Sequence, residues 1–233
     1  MLREYLQHFA QLTIGPVIIA SIIGLVRYHR LPPSLRYLTL LACFDVLMEL
    51  TALAIPFLPG MHSNLFLLPT IAIGELTLLA LAYREVLQLA AFTKVLPWLL
   101  GLFSAYALFI SLSQLGIVRH AVSLEVIFNL LTVSLAGLYF RKLLDELHVE
   151  RLRDDPFFWV SVGLIVHGLG DLLISLSSNY LLTHCSLQLQ LIIMWGVRNL
   201  FGAALYASYC WALWIARPKG LSGPAATRIS GRA

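Results

Sequence analysis

Seven long, mostly apolar stretches divide the chain, and this pattern leaves few folds open to it. They cover roughly 9–27, 36–58, 65–83, 95–115, 121–140, 157–179 and 187–215. An α-helix needs about 20 apolar residues to cross the hydrocarbon core of a bilayer. Only 12% of the 233 residues are charged, whereas soluble domains carry about 25%. The sequence therefore predicts an all-α integral membrane protein, a bundle of seven transmembrane helices.

Basic residues are distributed unevenly between the two ends of these predicted helices. The segments that follow the first, third, fifth and seventh stretches hold 13 of the 16 Lys and Arg, and the opposite segments hold only Arg3 and Arg119. Cytoplasmic loops are enriched in Lys and Arg. We therefore expect the N-terminus outside and the C-terminus in the cytoplasm, and an integral protein of the plasma membrane (the inner membrane in a bacterium).

The chain divides into a transmembrane domain over 1–216 and a short tail over 217–233. The tail is rich in Gly, Ser, Ala and Arg without periodicity, which predicts a flexible basic cytoplasmic segment. The net charge is +4, and the basic residues separate the apolar stretches instead of forming one patch. The lipid bilayer is the predicted environment, and no nucleic-acid partner is expected.

Polar side chains interrupt several of the stretches at comparable depths. An ionisable side chain at mid-bilayer costs about 2.5–3.5 kcal/mol on insertion scales and normally faces the protein interior. Their spacing places them on helical stripes, so we expect them to line one polar chamber in the outer half of the bundle. The candidate ligand- or ion-binding residues are Asp45, Glu49, Glu75, Glu125, Asn129, His167, Asp171, Trp195, Arg198 and Asn199.

Carboxylates outnumber the one guanidinium in this set, an imbalance that protonation, water or a bound cation relieves. A metal, if one binds, would use His167, Asp171, Glu49 and Glu75, although zinc sites usually recruit several His or Cys ligands. No cofactor is predicted. The alternative interpretation is that these residues only hydrogen-bond the helices to one another, at about 0.6 kcal/mol per pair.

Polar residues recur at similar distances from two prolines. They lie 12, 16 and 42 positions after Pro33, and 11, 15 and 42 positions after Pro156, and they are Asp45, Glu49 and Glu75 in the first set and His167, Asp171 and Arg198 in the second. This spacing predicts two parallel three-helix repeats joined by a single helix, a 3+1+3 arrangement. Chance alignment is the alternative, because proline is common at helix starts.

The layout resembles the seven-helix architecture shared by SWEET-type sugar transporters, PQ-loop transporters and opsins. The resemblance lies in topology and helix number, and it implies no site residues. The chain contains no Pro-Gln pair, which departs from the PQ-loop proteins. Arg198 lies in the seventh stretch where an opsin has the lysine of its retinal Schiff base, so retinal is not expected.

Three functions remain in view. The sequence favours a transporter of a small polar or cationic solute, linked to protons or a cation through Glu49, Glu75 and Asp171. The alternative is a sensor or receptor-like subunit that signals through a separate cytoplasmic partner. A membrane-embedded metal hydrolase comes third: no H-E-x-x-H or G-x-S-x-G motif is present, and no catalytic residue is predicted. A homo-oligomer stays open, because small residues pack helices within or between protomers.

Overall fold

Short polar segments and prolines separate eight helices in the computed structural model, which describes residues 2–55, 67–113, 117–145 and 154–216. A single turn of 3₁₀-helix, Tyr28–Arg30, follows α1, and a π-helical segment, Ile192–Val197, joins α7 to α8 into one long unit. The helices are α1 (Leu2–Arg27), α2 (Pro33–Ala54), α3 (Leu67–Leu87), α4 (Ala90–Ser113), α5 (Ile117–Asp145), α6 (Pro156–His184), α7 (Leu187–Leu191) and α8 (Arg198–Ile215). The predicted cytoplasmic tail lies outside the described residues.

Two prolines mark helix starts as the sequence predicts. Pro33 and Pro156 are the first residues of α2 and α6, where a missing backbone N–H costs no hydrogen bond. Asp155 caps α6, because its Oδ1 accepts a hydrogen bond from the Phe157 N–H at 2.9 Å. Its Oδ2 accepts a second from the Tyr139 hydroxyl at 2.6 Å, which ties the start of α6 to α5.

The helices have the length and composition of membrane-crossing segments. Six long apolar segments qualify, within α2, α3, α4, α5, α6 and the α7–α8 unit, and α1 adds a helix of 26 residues. Large apolar side chains such as Leu112 and Trp98 point away from the protein, with exposed fractions of 80% and 78%, as lipid-facing residues do. The chain is a multi-pass membrane protein, and the predicted helical bundle is confirmed.

Six of the long units form a closed ring. Going round it, α1 contacts α2, α2 contacts α3, α3 contacts α5, α5 contacts α6, α6 contacts α8, and α8 contacts α1. Helix α4 packs outside this ring against α3. It also reaches α5 through a 3.0 Å hydrogen bond from the Tyr106 hydroxyl to Ser123 Oγ. The interior of the ring is therefore bounded by the helices that carry the polar residues, together with α1.

Aromatic side chains fill the ring at the end where α3 finishes and α6 begins. Tyr83 is fully buried, and its ring meets those of Phe157 and Tyr139 edge-on at centroid distances of 5.7 and 6.4 Å. The Tyr83 hydroxyl lies 2.7 Å from Ser161 Oγ of α6, across the interior of the helix ring. Tyr209 of α8 is buried too. This packing closes one end of the interior and leaves space in the remainder.

Candidate functional site

Two adjoining cavities occupy that remaining space. The Arg198 cavity, of about 220 Å³, lies nearer the end where α3 and α5 begin. The Asp45 cavity, of about 90 Å³, lies between it and the aromatic end. They share the side chains of Glu75, Phe128, Asn129 and His167. Since one buried water needs about 10–15 Å³, each cavity has room for several. The two cavities together are called the chamber below.

Most of the predicted site residues line this chamber. Five helices, α2, α3, α5, α6 and α8, contribute them, and they are Asp45, Glu75, Glu125, Asn129, His167, Asp171 and Arg198. Glu49 is exposed on α2 and lines neither cavity, and Asn199 is not among the lining residues either. The side chain of Trp195 lies outside the described part of the chain. That the lining residues bind a ligand stays a prediction.

Arg198 bridges two carboxylates in the larger cavity. Its Nη2 lies 2.9 Å from Glu125 Oε1 and donates to Asp171 Oδ2 at 3.1 Å, while its Nε lies 2.7 Å from Asp171 Oδ1. The Asn129 amide donates to Asp171 Oδ2 at 2.6 Å, and Ser175 Oγ donates to Glu125 Oε2 at 3.2 Å. The single positive charge of Arg198 therefore balances one of the two carboxylate charges. The other hydrogen bonds to this pair come from the neutral side chains of Asn129 and Ser175.

Glycines on α6 let this helix lie close to both of its neighbours. A Cβ at Gly168 would come within 2.6 Å of Val133 on α5, and a Cβ at Gly170 within 2.5 Å of Phe201 on α8. Real side chains do not approach so closely. The two glycines that precede Asp171 thus bring its carboxylate between Asn129 and Arg198, and the sequence "HGLGD" encodes this close approach.

The carboxylates of the Asp45 cavity have a different environment. Asp45 is only 5% exposed, and its Oδ2 accepts a hydrogen bond from the Tyr206 hydroxyl at 3.1 Å. Its Oδ1 is buried without a hydrogen-bond partner. Within the described residues, neither Asp45 nor Glu75 forms an ion pair with Lys, Arg or His. The chamber therefore has an ion-paired region around Arg198 and an acidic region around Asp45 and Glu75.

Electrostatic interactions cross the boundary between these regions. The Glu75 carboxyl interacts repulsively with those of Asp45, Glu49 and Asp171. The His167 ring lines both cavities and interacts with the charges of Asp171 and Arg198. Because four carboxylates face one guanidinium, the chamber as a whole favours positive charge.

Two polar lining residues escaped the sequence analysis. Tyr206 and Tyr209 on α8 line the Asp45 cavity. The tyrosines follow Arg198 by two and three helical turns on the same face, so extending the polar stripe of the seventh stretch would have found them. Thr132 on α5 lines this cavity too, and the spacing of the fifth stretch predicts it on one stripe with Glu125 and Asn129. Its Oγ1 donates to the Asn129 carbonyl oxygen at 3.0 Å.

No metal-binding cluster is formed by the described residues. Within these parts of the chain, no three His, Cys, Asp or Glu side chains are arranged to hold an ion. Of the set that a metal would use, Glu49 lies outside the cavities, and Arg198 already contacts Asp171. The donor set therefore does not fit a site with several protein ligands of these types.

Comparison with known proteins adds no family. No protein-family model matches the chain, and no curated protein or solved structure matches it. The chamber itself is therefore the feature of the molecule that indicates a function.

Proposed function

We propose that this multi-pass membrane protein transports a small cationic or polar solute through the chamber, linked to protons or to a cation. The observation that carries the proposal is the meeting of four carboxylates and one guanidinium from separate helices in two adjoining cavities. Ionisable side chains within a membrane are costly, and they commonly mark solute or ion pathways. A bundle held together by polar contacts alone does not need excess acid.

The order of helices round the ring supports a repeat. If α1, α2 and α3 correspond to α5, α6 and α8, each contact in one half has its counterpart in the other. The pair α1–α2 corresponds to α5–α6, α2–α3 to α6–α8, and α3–α5 to α8–α1. Helix α4 then joins the two halves from outside the ring. In transporters with parallel repeats, the solute site lies where the repeats meet, near the bilayer midplane.

Two tyrosines strengthen the correspondence between the halves. Tyr83 lies 50 positions after Pro33, and Tyr206 lies 50 positions after Pro156. Each hydroxyl reaches the second helix of the opposite half, Tyr83 to Ser161 on α6 and Tyr206 to Asp45 on α2. These two hydrogen bonds join the halves beside the closed end, so a rocking motion that opens this end has to break or exchange them.

The distribution of basic residues supplies the direction. If the arginine-rich segments are cytoplasmic, the Arg198 cavity lies toward the outside and the aromatic end lies toward the cytoplasm. The conformation described above then faces outward. A fluorescent protein fused to the C-terminus should fold and fluoresce in cells, and an alkaline phosphatase fusion there should stay inactive. The opposite pair of results would contradict this orientation.

Flux into proteoliposomes tests transport directly. The full chain is reconstituted, and uptake of radiolabelled methylammonium, guanidinium, choline, sodium and a neutral sugar is compared with that of empty vesicles. We expect saturable uptake of at least one cation, and a loss of at least tenfold in Glu75→Gln, which removes a carboxylate shared by both cavities. The matched control is Glu85→Gln, the same substitution on the same helix at a partly exposed glutamate that lines neither cavity.

The contrary outcome is equally specific. Uptake no faster than in empty vesicles for every solute, by protein that still binds one of them saturably, would overturn transport. It would favour the sensor alternative, in which the occupied chamber acts through a separate cytoplasmic partner.

A further inference from the structure

The smaller cavity has the features of a binding site in its own right. We propose that the Asp45 cavity binds one monovalent cation, an alkali ion or a small ammonium, between the carboxylates of Asp45 and Glu75. The inference deepens the proposed function, since this cation would be the one linked to transport, but it concerns binding alone. It rests on the cavity and on one buried oxygen atom.

That atom is Asp45 Oδ1. It is buried and accepts no hydrogen bond, in a side chain that is 5% exposed and lines the cavity. A buried polar atom without a partner is costly, and in native proteins it commonly indicates an ion or water. Asp171 Oδ1 is the other such atom in the described residues, but Arg198 Nε lies 2.7 Å from it. Of these two atoms, only Asp45 Oδ1 therefore lacks a cationic side chain beside it.

The charges and donors around the cavity select the sign of its occupant. No Lys or Arg lines it, and His167 is its one basic lining residue. Tyr206 already donates to Asp45 Oδ2, and Thr132 donates to the Asn129 carbonyl oxygen. The carboxylates of Asp45 and Glu75 are its acidic lining groups, so the cavity is suited to a cation or a hydrogen-bond donor.

Size and ligand number select the valence. At about 90 Å³ the cavity exceeds one water, so it has room for a cation that keeps part of its water shell. A calcium ion requires six to eight oxygen ligands, several of them carboxylates. The described residues form no group of three acidic, His or Cys ligands. A monovalent cation with a partial water shell satisfies both the space and the charge.

Thermal melting of the full chain in nanodiscs measures this binding. Melting is followed while sodium, potassium or methylammonium chloride replaces N-methyl-D-glucamine chloride, a bulky cation, at constant ionic strength so that charge screening does not change. A ligand that binds only the folded protein raises the melting temperature once its concentration exceeds its dissociation constant, and the rise continues with the logarithm of the concentration. Comparing the salts shows whether an alkali ion or an ammonium is preferred.

Variants assign the effect to the cavity. We expect the melting temperature to rise with cation concentration for the wild type and for Glu85→Gln, and the rise to begin at a concentration at least tenfold higher for Asp45→Asn. Glu75→Gln should give a similar loss, which keeps the proposal testable if Asp45→Asn does not fold. The absence of a rise with all three salts, or the same onset concentration in both cavity variants and wild type, would overturn it. A stronger effect of micromolar calcium or magnesium would also overturn it.

The two proposals fail separately. Cation binding without flux in the proteoliposomes overturns transport and leaves the site in place. Flux that is unaffected by the choice of sodium, potassium or methylammonium, in a protein whose melting temperature does not respond to these cations, overturns the site and leaves transport in place.

Discussion

The two halves of the ring differ in how their buried carboxylates are paired. In the half formed by α5, α6 and α8, Arg198 contacts both Glu125 and Asp171, and Asn129 supplies a further hydrogen bond. In the half formed by α1, α2 and α3, Asp45 takes one hydrogen bond from Tyr206 of the opposite half and forms no ion pair. The carboxylates of the α5–α8 half are therefore ion-paired within that half, whereas Asp45 in the α1–α3 half has no ion-pair partner among the described residues.

A single position explains much of this difference. Glu75 and Arg198 each lie 42 residues after the proline that opens the preceding helix of their half. With arginine there, neighbouring carboxylates are held as charged partners, whereas with glutamate there the negative charge increases. Similar polar spacing on two helix pairs therefore yields an ion-paired network in one and carboxylates without an ion pair among the described residues in the other.

Removing the guanidinium should have the largest effect on stability. Arg198→Gln leaves Glu125 and Asp171 without their cation, and we expect a loss of about 2–4 kcal/mol in the free energy of unfolding, less than for a fully buried pair because 38% of the Arg198 side chain is exposed. Unfolding in mixed micelles with increasing SDS measures it.

Arg84→Gln is the matched control for that measurement. Arg84 is equally exposed, at 38%, but its ion pair in the described helices is with the adjacent Glu85 at 3.4 Å, so its loss should be below about 1 kcal/mol. Equal losses in the two variants would remove the basis for calling the α5–α8 half ion-paired.

The same substitution in each half should change stability in opposite directions. Asp171→Asn removes the charge that Arg198 contacts, and we expect a loss of about 1–3 kcal/mol. Asp45→Asn removes a buried charge without an ion-pair partner, so stability should stay level or rise by about 0.5–1 kcal/mol, as burying a charge without compensation is unfavourable. Both are measured in N-methyl-D-glucamine buffer, so that no small cation fills the Asp45 cavity. Similar losses in both variants would erase the contrast.

Much of the fold could be predicted from local pattern. The apolar stretches, the prolines of α2 and α6 and the excess of charge-free sequence define helices without any knowledge of their packing. The position of α4 outside the ring has a signal as well, since this helix has the highest mean hydropathy of the six qualifying segments and carries none of the candidate site residues. No residue type or spacing in the sequence indicates the π-helical segment before Arg198.

The site was harder to predict because helical periodicity defines a face only coarsely. Asp45 and Glu49 are one turn apart and were expected to face the chamber together. Four residues turn a helix through about 400°, so the two side chains differ by about 40° in direction. The interior of a six-helix ring spans a narrow sector of each helix, and Glu49 falls outside it. The hydrogen bond between Asp45 and Tyr206 of the opposite half depends on the order of the helices in the ring, which the local sequence does not specify.

The smallest expected effect separates the two tyrosines that join the halves. Tyr206→Phe leaves both Asp45 oxygens without a donor, so it should cost about 1–1.5 kcal/mol, whereas Tyr83→Phe removes a neutral hydrogen bond to Ser161 and should cost about 0.5 kcal/mol. In an Asp45→Asn background the cost of Tyr206→Phe should fall toward that of Tyr83→Phe, because the buried charge that makes its hydrogen bond stronger is gone. A double-mutant cycle in nanodiscs measures this coupling. If the cost of Tyr206→Phe does not depend on the charge at position 45, the hydrogen bond from Tyr206 does not stabilise the Asp45 carboxylate. The difference between the two halves would then not be explained by how their carboxylates are paired.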